Sequence, residues 1–228
     1  MSSDKKNKVK RIFDSISDKY DFLNHFLSAG IDFYWRRKAL KLSNINNSSI
    51  ILDVACGTGD FSIAAKKLGA KRIFGADLSL NMLKLFNKKA DWSKGNIVQS
   101  VAETLPFKRE SFTNVIVAFG VRNFYDIEKA FNQFYKVLKP YGKVTVLEFR
   151  LPVKSIIKYV YSFYFNKILP FIGKVISKDK EAYTYLPESV NEFEQNINLT
   201  ELFRKANFKK MEVYSLTFGI VQVIIAEK

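Results

Sequence analysis

Apolar side chains recur along this chain with two different periods, and the changes of period mark its elements. Over residues 9–42 they stand three to four apart, at Val9, Ile12, Phe13, Ile16, Tyr20, Leu23 and Phe26-Leu27; Gly30 divides the region into two helices, the second bearing Trp35, Ala39, Leu40 and Leu42 on one side. The unbroken apolar run Ile50, Ile51, Leu52 then predicts a buried parallel strand. From Phe61 the spacing is helical again, with Ala64, Ala65 and Leu68 on one face. The alternation continues with a strand over 71–76 closed by Asp77, a helix over 80–89, and strands over 96–100 and 112–119. An amphipathic helix over 126–138 follows, then Lys139-Pro140-Tyr141-Gly142 as a helix stop with a turn, and a strand over 143–149. Residues 178–197 read as a loop and 199–206 as a helix, and 210–215 and 218–226 as the last two of seven strands. Strands alternating with helices specify an α/β fold with a doubly wound, mostly parallel sheet. No internal repeat or linker interrupts it, so the reading is one domain, with an N-terminal helical cap over 1–45 and a helical lid inserted over 151–197.

The chemistry concentrates where the first strand ends. Asp53-Val-Ala-Cys-Gly57-Thr58-Gly59 runs from that strand into the next helix, and Gly57 and Gly59 let backbone approach a ligand closely. Neither G-x-x-x-x-G-K-[ST] nor G-x-G-x-x-G is present, so the loop is not built for phosphate. An acidic residue leading into it suits a cationic, phosphate-free ligand, and S-adenosylmethionine is one. Asp77 ends the second strand, where a carboxylate can accept hydrogen bonds from both ribose hydroxyls. Val101, Ala102 and Glu103 lie beyond the carboxyl end of the third strand, where backbone N–H groups can read an adenine edge.

Composition narrows the alternatives. The 228 residues hold 37 Lys and Arg against 22 Asp and Glu, a net charge of +15. That balance is compatible with nucleic acid or an anionic membrane surface, and equally with an AT-rich coding bias that favours Lys, Asn, Ile and Phe. One cysteine, Cys56, excludes an internal disulfide and fits a reducing compartment. With His25 as the one histidine, a His-based metal site or a Ser–His–Asp triad has little to work with, and no metal is expected. Residues 1–10 are basic and polar, without the apolar region of a signal peptide. Residues 151–177 are the most apolar stretch, interrupted by Lys154, Lys158, Lys167 and Lys174 and broken by Pro170. No run there is long enough to span a bilayer; aromatics with interspersed lysines suit an interfacial helix or a lid over an apolar substrate.

Several stretches together resemble the ubiquinone/menaquinone biosynthesis C-methyltransferase family along nearly the whole chain. They are F-D-S-I-S-D-K-Y-D-F-L-N from Phe13, D-V-A-C-G-T-G-D from Asp53, F-G-V-R-N from Phe119, V-L-K-P-Y-G-K-V-T-V-L-E-F from Val137, A-Y-T-Y-L-P-E-S-V from Ala182 and L-T-F-G-I-V from Leu216. The resemblance implies a class I S-adenosylmethionine-dependent methyltransferase with a Rossmann-like fold, and cofactor contacts on Thr58, Asp77, Val101, Ala102 and Ala118 beside Asp53, Gly57 and Gly59. It implies a polyprenylated quinol as acceptor, methylated on a ring carbon: demethylmenaquinol, with the methoxy-benzoquinol of ubiquinone synthesis as the alternative. Arg122 would stabilise the phenolate, and Asn123, Tyr20 and Tyr183 would orient the ring. The tail places the enzyme in the cytoplasm, peripherally on the inner face of the membrane. Nucleic acid is set aside, because F-G-V-R-N stands where base-amine methyltransferases carry an Asx-Pro-Pro-aromatic segment; self-association is left open. Two departures stand out: Val101 replaces a small polar residue, and Asp32-Phe33 replaces His-Arg, with His25 at a different place.

Overall fold

The computed structural model describes residues 2–152, 158, 159, 161, 163 and 180–228. Two helices open the chain, α1 (Ser2–Leu27) and α2 (Ile31–Leu42), joined through Gly30 in the left-handed region. Then come β1 (Ile50–Val54), α3 (Asp60–Lys67), β2 (Arg72–Asp77), α4 (Leu80–Lys89), β3 (Ile97–Gln99) and β4 (Phe112–Ala118). The second half holds α5 (Ile127–Val137), β5 (Leu138–Phe149), α6 (Lys180–Asn196), α7 (Leu199–Lys205), β6 (Lys209–Leu216) and β7 (Val221–Glu227).

The seven strands form one sheet in the order β3-β2-β1-β4-β5-β7-β6. β1 to β5 are mutually parallel, and β7 runs antiparallel between β5 and β6. This is the doubly wound, mostly parallel sheet expected from the alternation of elements, in the seven-stranded Rossmann-like form that the family resemblance implies. The order reverses at β1, which pairs with both β2 and β4, and the crevice for a ligand opens there, past the carboxyl ends of the strands.

Period-two alternation sends side chains to two cores. Leu52, Val115, Val117, Val144 and Val146 face the side covered by α5 and α7, where Phe131, Phe134 and Phe203 are fully buried. Ile51, Ile116, Leu147 and Val223 face the other side, against Trp35, Leu40, Phe61 and Ala65 of α2 and α3. Each fully buried Phe or Leu contributes roughly 1.5–3 kcal/mol by leaving water, so both faces hold the sheet that positions the crevice.

Three expectations are corrected. The stretch read as a loop over 178–197 contains α6, a helix of 17 residues with Pro187 inside it. Residues 139–142 are not a separate turn: β5 begins at Leu138, paired with Phe112, and passes through an irregularity with Tyr141 in the left-handed region before regular pairing resumes at Lys143. The last strand starts at Val221, because residues 217–219 form a short turn of 3-10 helix. The segment 151–177, expected as an interfacial helix or lid, lies outside the described residues except for Leu151, Pro152, Lys158, Tyr159, Tyr161 and Phe163. Among the described residues no helix is long and apolar enough to cross a membrane.

Candidate active site

At the crevice the backbone itself is unusual. Ala55, just after β1, and Phe119, just after β4, both lie in the left-handed region, with φ of 54° and 57°. Such conformations cost of order 1–3 kcal/mol and persist only where surrounding structure holds them; here the Phe119 N–H donates to the carbonyl of Leu147 at 2.7 Å. Gly57 (φ 53°) and Gly59 (φ 88°) complete the turn into α3. At Gly59 the need for glycine is double, since a Cβ would also lie 2.2 Å from the Phe86 ring.

Asp77 organises the loop. Its Oδ2 accepts the Gly57 N–H at 2.8 Å and its Oδ1 the Ser79 N–H at 2.8 Å. Burial pushes its carboxyl up to about 6 despite these bonds. Ser79 in turn caps α4 by accepting the Met82 N–H, and donates to Asp14 on α1. Asp53 is 1% exposed and takes a hydrogen bond from Ser62 on Oδ2 at 2.7 Å; burial raises its carboxyl to about 7. Past β3, the buried Glu103 holds the neighbouring loop by accepting the N–H groups of Tyr125 (2.8 Å) and Asp126 (3.1 Å).

Three cavities that share lining residues lie at and beside this loop. One of about 90 Å³ is lined by Asp77, Ser79, Val101, Ala102, Ala118 and Asn123. One of about 30 Å³ sits against Asp53, Gly57, Thr58, Asp60 and Arg36. The third, about 260 Å³, is largely apolar, with Leu23, Leu27, Trp35, Phe149, Arg122 and Tyr185 among its walls. Tyr20 lines all three, and Phe13 and Phe119 join the first to the third. The structure therefore brings together Asp53, Gly57, Thr58, Asp77, Val101, Ala102 and Ala118 around two adjoining hollows, with Gly59 as their hinge into α3. Asp77 beside an apolar slot, and a glycine turn led by the acidic Asp53, fit an adenosine sulfonium better than a phosphorylated nucleotide.

The N-terminal helix covers the crevice. Besides the Asp14–Ser79 bond, Asp21 accepts the Thr58 hydroxyl and pairs with Lys89 at 2.8 Å, and Lys89 also bonds Asp60. Lys5 donates to the carbonyls of Arg122 (3.1 Å) and Phe124 (2.7 Å). The cap over residues 1–45 thus contributes site walls as well as packing.

Arg122 stands in the large cavity, buried, and held from three sides. Its Nη1 donates to Glu148 Oε1 at 2.7 Å and to the Phe119 carbonyl at 2.6 Å, and its Nε to the Ser189 hydroxyl at 3.3 Å. Glu148 is fully buried, and the sequence reading did not single it out. Asn123 accepts the Tyr185 hydroxyl at 2.8 Å through its side-chain oxygen. Tyr183 lies on α6, but its side chain is outside the described residues; Tyr185 of the same helix is the tyrosine seen to reach the cavity. Burial raises the Tyr20 hydroxyl above its ordinary value, which favours a neutral donor over a tyrosinate base. At the departure from the family pattern, the Nδ1 of His25 lies 2.8 Å from Asp32 and its ring stacks on Phe33 at 4.2 Å between ring centres.

With this geometry in place, the relationships are decisive. The ubiE/COQ5 methyltransferase family matches residues 1–228. The chain belongs to that family. It is 38% identical to the demethylmenaquinone methyltransferase of Chlorobaculum tepidum over 98% of this chain and 93% of that protein. It is 41% identical to the ubiquinone/menaquinone biosynthesis C-methyltransferase UbiE of Geotalea daltonii, over 99% and 98% of the two chains. The fold matches an S-adenosylmethionine-dependent methyltransferase of Thermotoga maritima with a TM-score of 0.66 at 21% identity, covering 96% of this chain and 99% of the other. As a member of the ubiE/COQ5 family the chain is an S-adenosylmethionine-dependent methyltransferase, with the Rossmann-like sheet described above.

Proposed function

We propose that this methyltransferase acts on a ring carbon of a polyprenylated quinol, converting demethylmenaquinol to menaquinol. The observation that carries the reading is the apolar cavity of about 260 Å³ that shares Tyr20 and Phe119 with the cofactor site and has in its wall the buried Arg122, paired behind it with Glu148. Phe119 and Phe149 stack at 4.5 Å between ring centres with Trp35 edge-on to both at 6.1 Å, an aromatic cluster against which an aromatic headgroup can pack.

S-Adenosylmethionine supplies an electrophilic methyl group; Asp53, Gly57, Thr58, Gly59, Asp77, Val101, Ala102 and Ala118 are the residues that would hold it. A ring carbon attacks only when an adjacent phenol has lost its proton, so the protein must favour phenolate and fix the ring. Arg122 is permanently charged and cannot be the base; it stabilises developing phenolate charge electrostatically. Glu148 keeps the guanidinium in place and tempers its charge. Tyr20 and Asn123 orient the ring by hydrogen bonding, with Tyr183 a further candidate.

The single-domain organisation belongs to the same proposal, as does a peripheral position on the cytoplasmic face of the membrane. The net charge of +15 suits an anionic surface. Phe22, Phe26, Phe33 and Tyr34 are more than half exposed and flank cavity-lining residues of α1 and α2, where a prenyl tail would leave the protein. The methoxy-benzoquinol is the second reading, since relatives named for both quinones match equally well. Methyl transfer to the two quinols side by side separates them.

A further inference from the structure

α6 carries two polar side chains to which the chemistry above assigns no task. Tyr185 and Ser189 stand one helical turn apart and so share a face, and each meets one member of the consecutive pair Arg122-Asn123. The backbone of that pair is fixed from elsewhere: Val121–Asn123 forms a turn of 3-10 helix, and Lys5 of α1 donates to the carbonyls of Arg122 and Phe124. What α6 sets is the side chains. The Tyr185 hydroxyl donates to Asn123 Oδ1 at 2.8 Å; burial raises it above its ordinary value, so it stays a protonated donor. The Ser189 hydroxyl spends its one proton on the Leu186 carbonyl at 3.0 Å, so its oxygen meets the Arg122 Nε–H as an acceptor, at 3.3 Å.

These bonds decide which donors are left over. Tyr185 takes the oxygen of the Asn123 amide, and among the described residues no hydrogen bond engages its Nδ2. Ser189 takes Nε of Arg122, Glu148 and the Phe119 carbonyl take Nη1, and among the described residues none engages Nη2. Two N–H donors on adjacent residues thus remain where the hollows meet: Asn123 lines the smaller one and Arg122 the apolar one, with Tyr20 and Phe119 in the walls of both. We propose that Tyr185 and Ser189 are positioning residues for methyl transfer, holding Asn123 Nδ2 and Arg122 Nη2 toward the quinol oxygen whose deprotonation activates the ring carbon. The assignment rests on the quinol reading and deepens it. Donors fixed in advance stabilise developing charge without reorganising at the moment of reaction. Without the Tyr185 hydroxyl the amide is free to turn over and present its oxygen to the phenolate, which repels it. Without the Ser189 oxygen the guanidinium keeps Glu148 but loses the contact that fixes its other edge.

Steady-state methyl transfer to the quinol in anionic vesicles tests this with Tyr185→Phe and Ser189→Ala, each removing one hydroxyl with little change of volume. Each is expected to lower kcat about 10-fold, the upper end for a lost neutral hydrogen bond. KM for the quinol and the calorimetric affinity for S-adenosylhomocysteine, the cofactor after loss of its methyl group, should stay within about twofold. Ser189→Thr keeps a hydroxyl and should keep the rate. Adding Tyr185→Phe to Asn123→Ala should slow the enzyme no further, because the tyrosine acts through that amide. In Ser189→Ala the rising limb of the kcat–pH profile should move to higher pH, because a misdirected guanidinium favours the phenolate less. Unchanged kcat in both single variants would overturn the proposal. So would a loss in Tyr185→Phe that adds in full to that of Asn123→Ala, which would make the tyrosine a contact in its own right. Equal losses of kcat and S-adenosylhomocysteine affinity, with a lowered unfolding temperature, would reduce α6 to packing. If the unaltered protein binds S-adenosylhomocysteine but methylates neither quinol, the quinol reading itself fails, and this assignment with it.

Discussion

Replacing Asp53 by Asn isolates the energetic consequence of burying an acid in the cofactor loop. The carboxyl is 1% exposed, and burial moves its titration from the ordinary 3.8 to about 7, against the opposing hydrogen bond from Ser62. Between those two values the folded protein holds a proton that the unfolded chain has released. Unfolding free energy therefore falls as pH rises through this interval, and levels off above about 7. An interval of roughly three pH units corresponds to roughly 4 kcal/mol at about 1.4 kcal/mol per unit. Asn keeps the shape but cannot ionise, at a pH-independent cost of about 1–3 kcal/mol if its amide stays unpaired on the side of Oδ1. In urea denaturation of the ligand-free protein, Asp53→Asn is thus expected to be the less stable form near pH 4.5. It should gain on the unaltered protein by a few kcal/mol by pH 8. A stability difference that stays constant across this range would refute the reasoning, because it would mean that Asp53 ionises in the folded state as it does in water.

Gly59→Ala places a Cβ 2.2 Å from the Phe86 ring at a φ of 88°, so S-adenosylhomocysteine binding should fall below detection in calorimetry; affinity within a few-fold of the unaltered protein would contradict the loop geometry. Asp77→Ala removes the acceptor of the Gly57 and Ser79 N–H groups and, in the proposed function, of the ribose, and should weaken S-adenosylhomocysteine binding about 10-fold or more in calorimetry. Glu148→Gln leaves the buried Arg122 uncompensated and should cost about 3–5 kcal/mol of stability; thermal unfolding at an unchanged temperature would show that the pair is not energetically coupled.

How much of this could be read from sequence follows from the kind of signal each element carries. The apolar run that opens β1, the apolar-rich β2 and β4 and the amphipathic α5 announce themselves by period, and Asp126 caps α5. The glycine turn and Asp77 were legible because their chemistry needs those residue types at that spacing. α6 was not, because Pro187 and a polar composition imitate a loop while tertiary contacts sustain the helix. Pro140-Tyr141-Gly142 looks like a turn, yet neighbouring strands hold it in β5 through a left-handed residue. The site residues the sequence reading missed, Glu148, Arg36 and Asp14, act through partners 26, 4 and 65 positions away, and only Arg36–Asp32 has a spacing that a helical reading could pair. Charge pairs formed across the sheet or between the cap and the loop leave no periodic trace.

The most direct test of the central claim is methyl transfer from labelled S-adenosylmethionine to reduced demethylmenaquinol presented in anionic lipid vesicles, with the methoxy-benzoquinol precursor and total RNA as parallel acceptors. The account predicts label on a ring carbon of the naphthoquinol, lost with Asp77→Ala and strongly reduced with Arg122→Ala. Label on the benzoquinol alone would move the substrate to the second reading. Label on RNA, or on no acceptor while S-adenosylhomocysteine still binds, would contradict quinol methylation and leave the cofactor site without it.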